Sequence, residues 1–107
     1  MSPSDLVQLE KEVLSQELQV AMVQGWIKRR LIEAPLMKQA CENYFKILED
    51  APFVTTKDAM WETIPFYDHM KGDVQSKLRL LTSKSQRLHT MRKQLEEAKA
   101  DEEKEEF

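Results

Sequence analysis

At 107 residues the chain has length for one domain, and its two glycines, four prolines, 33% charged and 41% hydrophobic residues are the profile of a helix-rich or coiled-coil protein. Sixteen Lys and Arg against nineteen Asp and Glu leave a formal charge of −3, which argues against binding a phosphate backbone, so no nucleic-acid partner is expected. No stretch approaches the roughly 20 apolar residues of a membrane span and the acidic start does not fit a secretory signal, so no membrane partner is expected and the expected location is cytoplasmic, also nuclear.

Ser2-Pro3-Ser4-Asp5 is a helix-start cluster in which Ser4 or Asp5 can accept the free amide hydrogens of the first turn. The helix should then run with few breakers to about Ala34. Leu6, Val13, Val20 and Ile27 recur every seven residues as heptad a positions, which places Leu9, Gln16, Val23 and Arg30 at d. Gln16 in that seam costs stability but can fix register. A second apolar set, Leu14, Leu18, Ala21, Met22 and Trp26, lies on a neighbouring stripe, so this helix is expected to pack against more than one partner. Lys28-Arg29-Arg30 reads as a solvated helix face. Pro35 either kinks one long helix or begins a second at its first position. Met37, Ala40, Cys41, Tyr44, Phe45, Ile47 and Leu48, spaced three and four apart, predict a helix over 36–50 that Asp50-Ala51-Pro52 ends.

Phe53 to Gly72 is the non-repetitive middle of the chain. Thr55, Thr56 and Asp58 could cap a short helix through Trp61 that Pro65 stops; alternatively Ala59 to Met70 forms a β-hairpin, with Trp61, Thr63 and Pro65 on one face and Met60, Glu62 and Ile64 on the other. Gly72-Asp73 then starts the last helix, with Asp73 as N-cap. Val74, Leu81, Leu88 and Leu95 recur every seven residues, with Leu78 and Met91 between them and Lys77 and Lys84 interleaved, which marks a coiled-coil seam. After Ala98 a charged run should fray. The expected fold is mainly α: an antiparallel helical coiled coil in one domain, 1–107. It has a helical arm over 4–50, an irregular or hairpin segment over 51–72, a returning arm over 73–100 and a charged tail over 101–107. A small all-α bundle is the alternative.

No catalytic or metal-binding pattern stands out. Cys41, the single cysteine, falls in an apolar spacing and reads as a small core hydrophobe; a catalytic thiol needs an activating group, and His69 and His89 stand far along the chain. Asp68 and His69 are adjacent and cannot share one helical face, and Glu102, Glu103, Glu105 and Glu106 lack the glycine turn of a calcium loop. Gly25 and Gly72 cannot make a phosphate loop. No cofactor, no metal and no enzymatic activity are therefore expected, and Trp61, Phe66 and Tyr67 read as core. So small a chain with long helices usually gains stability by pairing, which makes other protein subunits, in a hetero-oligomer, the expected partners.

Met60-Trp61-Glu62-Thr63-Ile64, then Phe66, then Val74-Gln75-Ser76-Lys77-Leu78, set between two coiled-coil arms, resembles the prefoldin β-type subunits, especially the subunit-1 branch. Pro65 departs from that pattern where the family tends to have a hairpin glycine, and Pro35 interrupts the first helix. The resemblance implies one subunit of a hexameric, ATP-independent co-chaperone that holds unfolded protein clients between helical tentacles. It places Leu6, Val7 and Leu9 as client-binding residues near a tip, and Met60, Trp61, Ile64 and Phe66 in an assembly platform, beside the seam Val74, Leu81, Leu88 and Leu95. The alternatives are a structural or adaptor helical subunit of another multiprotein assembly and a peptide-binding module. Phe45, Trp61 and Ile64 fit the core of an FF-like, peptide-binding three-helix domain, and Glu105-Glu106-Phe107 resembles the acidic, aromatic-ended tails that CAP-Gly domains recognise.

Overall fold

The structure, a computed structural model, describes residues 2–50 and 63–105, whose regular structure is three α-helices. They are α1 (Pro3–Arg30), α2 (Pro35–Asp50) and α3 (Asp68–Glu105), and no strand occurs among the described residues. The mainly helical class and the bundle follow, with α1 and α3 packed antiparallel. Arg30 meets Asp73, Gln19 meets Lys84, Glu17 meets Arg92 and Glu10 meets Lys99, so the partners on α3 rise in number as those on α1 fall.

Each helix end has a local cause. The cap of α1 is Ser2 rather than Ser4 or Asp5: its side chain accepts from the Asp5 amide at 3.2 Å, and Pro3 occupies the first turn, where its missing amide costs nothing. α1 stops at Arg30, short of Ala34. Leu31 caps it and residues 31–34 make a corner, in which the Ala34 amide donates to the Leu31 carbonyl at 3.0 Å. Pro35 therefore begins a second helix and does not kink the first. Leu31 and Ala34 are both buried, so the corner itself belongs to the core.

α3 begins at Asp68, a turn earlier than Gly72-Asp73 suggests. The Tyr67 carbonyl accepts from the amides of Met70 and Lys71, and burial of Met70 ties this extra turn to the core. At its other end α3 continues helical through Glu105, so the charged tail does not fray where expected. Ala, Lys and Glu are strong helix formers, and Lys99 reaches Glu10 of α1 at 3.5 Å. Of the hairpin expected over 59–70, residues 59–62 lie outside the described residues. From 63 to 67 there is no strand, and 68–70 are helical.

The core has two parts. Near the corner, α2 lies along the α1–α3 pair and completes a cluster of Ile27, Leu31, Cys41, Tyr44, Leu78 and Leu81, all 0–1% exposed, with Ile64 and Phe66 packed against it. Tyr44 and Thr82 join hydroxyls within it, and Thr82 donates to the Leu78 carbonyl at 2.8 Å, so the buried polar groups satisfy one another. Beyond the end of α2 the molecule is only two helices deep, and a smaller cluster of Val13, Leu88 and Met91, with Val20 and Leu95, holds α1 to α3. Between these parts Gln16 donates to the Lys84 carbonyl at 3.0 Å and the Lys84 ammonium donates to Gln19 at 2.6 Å.

Candidate interaction surfaces

The heptad of α1 faces α3: Val13, Gln16, Val23 and Ile27 are buried, while Leu6, Leu9, Val20 and Arg30 are half-buried. Opposite this seam the second apolar stripe stays in water. Leu14, Leu18 and Met22 are 64%, 62% and 64% exposed, and Val7 is half exposed on the same side. Of the second set only Trp26 joins the core, partly buried beneath the Lys77 ammonium, which sits 5.2 Å from the ring centroid. Ala21 and Gly25 lie along the stripe, and a side chain at Gly25 would come within 3.2 Å of the Arg29 guanidinium. Lys11, Lys28 and Arg29 border it without an ion pair in the described residues.

The sequence-derived assembly residues divide by helix. Val74, Leu81 and Leu88 are buried and Leu95 is partly buried, so the α3 seam is filled by this chain's own α1 and α2. Ile64 and Phe66 lie against the core from the segment preceding α3, whereas Met60 and Trp61 lie outside the described residues. The three tip residues do not act as one group. Leu6 and Leu9 are half-buried towards α3 and Val7 points the other way. Beside them a shallow cleft of about 680 Å³ runs between the helices, lined by Asp5, Leu9, Glu12, Glu97, Ala98 and Asp101, so that carboxylates ring its apolar surface.

Further hollows flank α2. One, of about 450 Å³, opens where α2 ends; its floor is Val20, Ala21, Phe45, Leu48 and Leu88, with Arg92 at its rim. Another, of about 520 Å³, lies at the corner among Ala34, Pro35, Leu36, Met37, Pro65 and Tyr67. Leu36 beside it is 87% exposed and Ile32 67%. The sequence gives no sign of this corner hollow, because its walls come from segments that carry no shared period.

Two titratable groups are shifted by their surroundings. Burial, and then the neighbouring Glu42 charge, pushes the Cys41 thiol up from 9.0 to about 12, which leaves it protonated and unreactive at neutral pH. Asp73 accepts from Arg30 at 3.1 Å, and that bond, ahead of the guanidinium's charge, holds its carboxyl below the usual 3.8. Arg30 also donates to the His69 carbonyl at 3.3 Å, so one side chain clamps the end of α1 to the start of α3. Among the described residues no group of three or more His, Cys, Asp or Glu is placed to hold a metal ion, and no helix is long and apolar enough to cross a membrane. No protein-family model matches the chain, and comparison with curated proteins and with solved structures finds no match.

Proposed function

We propose that this chain is a non-catalytic protein-interaction subunit that works through the apolar face α1 turns away from its own core. The observation that carries this reading is the exposure of Leu14, Leu18 and Met22, three large apolar side chains in line on a helix whose opposite face is already buried. Contiguous exposed apolar surface of this kind marks protein contact sites. Replacing Leu14, Leu18 and Met22 together with Gln should keep the helical circular dichroism signal and the melting temperature while abolishing association. A variant that associates like the parent would remove this face as the working surface.

A finer reading makes the protein an ATP-independent co-chaperone subunit of prefoldin type, acting in the cytoplasm on unfolded clients. Beyond α2 the α1–α3 arm has only the small cluster around Val13, Leu88 and Met91, and Val7 near its end is half exposed. Such an arm can lend apolar surface to an unfolded chain. Changing Leu6, Val7 and Leu9 to Ser should then reduce suppression of aggregation of a denatured client, measured by light scattering without nucleotide. Equal protection by parent and variant rejects the tip as a client site.

A further inference from the structure

We infer that the outer face of α1 is covered by a second copy of the same chain, with the two α1 helices antiparallel about a two-fold axis close to Leu18. This rests on the interaction reading above and names its partner. On the outer side of α1, Glu10 stands with Lys11 in the first part and Lys28 and Arg29 stand with no acid in the last, while Asp5, Glu12, Glu17 and Arg30 lie towards α3. An antiparallel copy brings Glu10 of each helix to the basic part of the other, and also opposes the two helix dipoles.

The residues on the exposed face fit the same arrangement. Around Leu18, the Leu14 side chain meets Met22 of the second copy and Leu18 meets its own counterpart, so the three most apolar positions of the face match each other. Gly25 falls opposite Lys11, and the Arg29 guanidinium that lies over Gly25 swings outward to admit the lysine stem along the partner helix. Glu10 and Lys28 lie on the same edge of the stripe, at nearly equal distances on either side of Leu18. A two-fold axis across the helices keeps like edges together, so each Glu10 approaches the other copy's Lys28. Glu10 already contacts Lys99 at 3.5 Å and is part exposed, and its second oxygen can take the new partner. A parallel pair would set Lys11 against Lys11 and Arg29 against Arg29 close to the seam, which like-charge repulsion disfavours.

The apolar stripe from Val7 to Gly25 is about 27 Å long at the rise of an α-helix. One helix face covers less than the ~800 Å² per partner of a standard interface, so self-association on the order of 1–100 µM is expected.

The experiment is sedimentation velocity of the purified full chain across roughly that concentration range. The parent should pass from monomer to dimer, and Leu18→Gln should stay monomeric with unchanged helicity. Glu10→Lys and Lys28→Glu should each weaken the dimer by about threefold or more, and the two together should restore it. Orientation is read by oxidation of cysteine variants: Leu14→Cys mixed with Met22→Cys should cross-link, and Leu14→Cys alone should not. Cross-linking of Leu14→Cys to itself, or failure of the paired charge reversal to restore association, overturns the antiparallel pair. A parent that stays monomeric throughout overturns self-pairing. If a defined partner nonetheless binds that parent and the Gln variant of Leu14, Leu18 and Met22 loses it, the interaction reading stands. Monomer with no such loss overturns both.

Discussion

Two single residues respond to pH in opposite directions. Asp73 has its acidity strengthened by Arg30, so its contribution is fully present above the unfolded value of 3.8 and is lost as pH falls below that through the lower folded value. Asp73→Asn should therefore make stability less steep in acid, measured as the denaturation midpoint at stepwise lower pH, with little change near neutrality. Cys41 behaves conversely: its thiol resists ionisation until about pH 12 in the fold but ionises near 9.0 when unfolded. The stability linked to it is complete below pH 9 and declines as pH rises towards 12. In the native state Cys41 should react with iodoacetamide far more slowly than in denaturant, and equal rates would show that the corner core opens freely. Both report the immediate surroundings of one side chain, an ion-paired surface for Asp73 and a packed core for Cys41.

At the scale of a helix, position within the two-part core sets the cost of a substitution. Leu81 is fully buried among all three helices, so Leu81→Ala should cost about 3–5 kcal/mol by denaturant unfolding, whereas Leu88, beside the hollow at the end of α2, should cost nearer 2 kcal/mol. Gln16→Leu should change stability by less than about 1 kcal/mol, because the hydrogen bond it loses to the Lys84 carbonyl is offset by apolar burial. The seams of α1 and α3 are legible in the sequence because a repeat of seven on a helix puts every such residue on one face, and Val13, Val23, Ile27, Val74, Leu81 and Leu88 are buried as that rule requires. The same rule identifies Leu14, Leu18 and Met22 as a second stripe but cannot say which stripe is covered. That is decided by α3, whose own seam matches the branched residues of the first. Local signals misplace the start of α3, since Gly72-Asp73 looks like a cap until the burial of Met70 draws one more turn into the helix. Leu31 and Thr82 are buried without belonging to either period, so only the assembled corner reveals them.

For the molecule as a whole, 58 Å long and 24 by 18 Å across, the uneven depth of packing means uneven protection. Amide hydrogen exchange should be slowest in 23–31 and 74–82, where α2 adds a third layer, and fastest in the last turns of the two-helix arm. Uniform protection along α3 would contradict this division. The pairing of α1 with α3 also governs when the chain can fold. The hydrogen bonds between the two helices join residues 39 to 75 positions apart, from Arg30 with His69 to Glu17 with Arg92. A nascent chain that has emerged only as far as Asp50 holds α1 and α2, yet the seam of Val13, Gln16 and Val23 has nothing to close upon until α3 follows. Such wide separations slow folding relative to a simple helical hairpin, because the loop must close before any contact repays it. During synthesis, therefore, both apolar faces of α1 are open at once, and the inner one closes only when α3 follows.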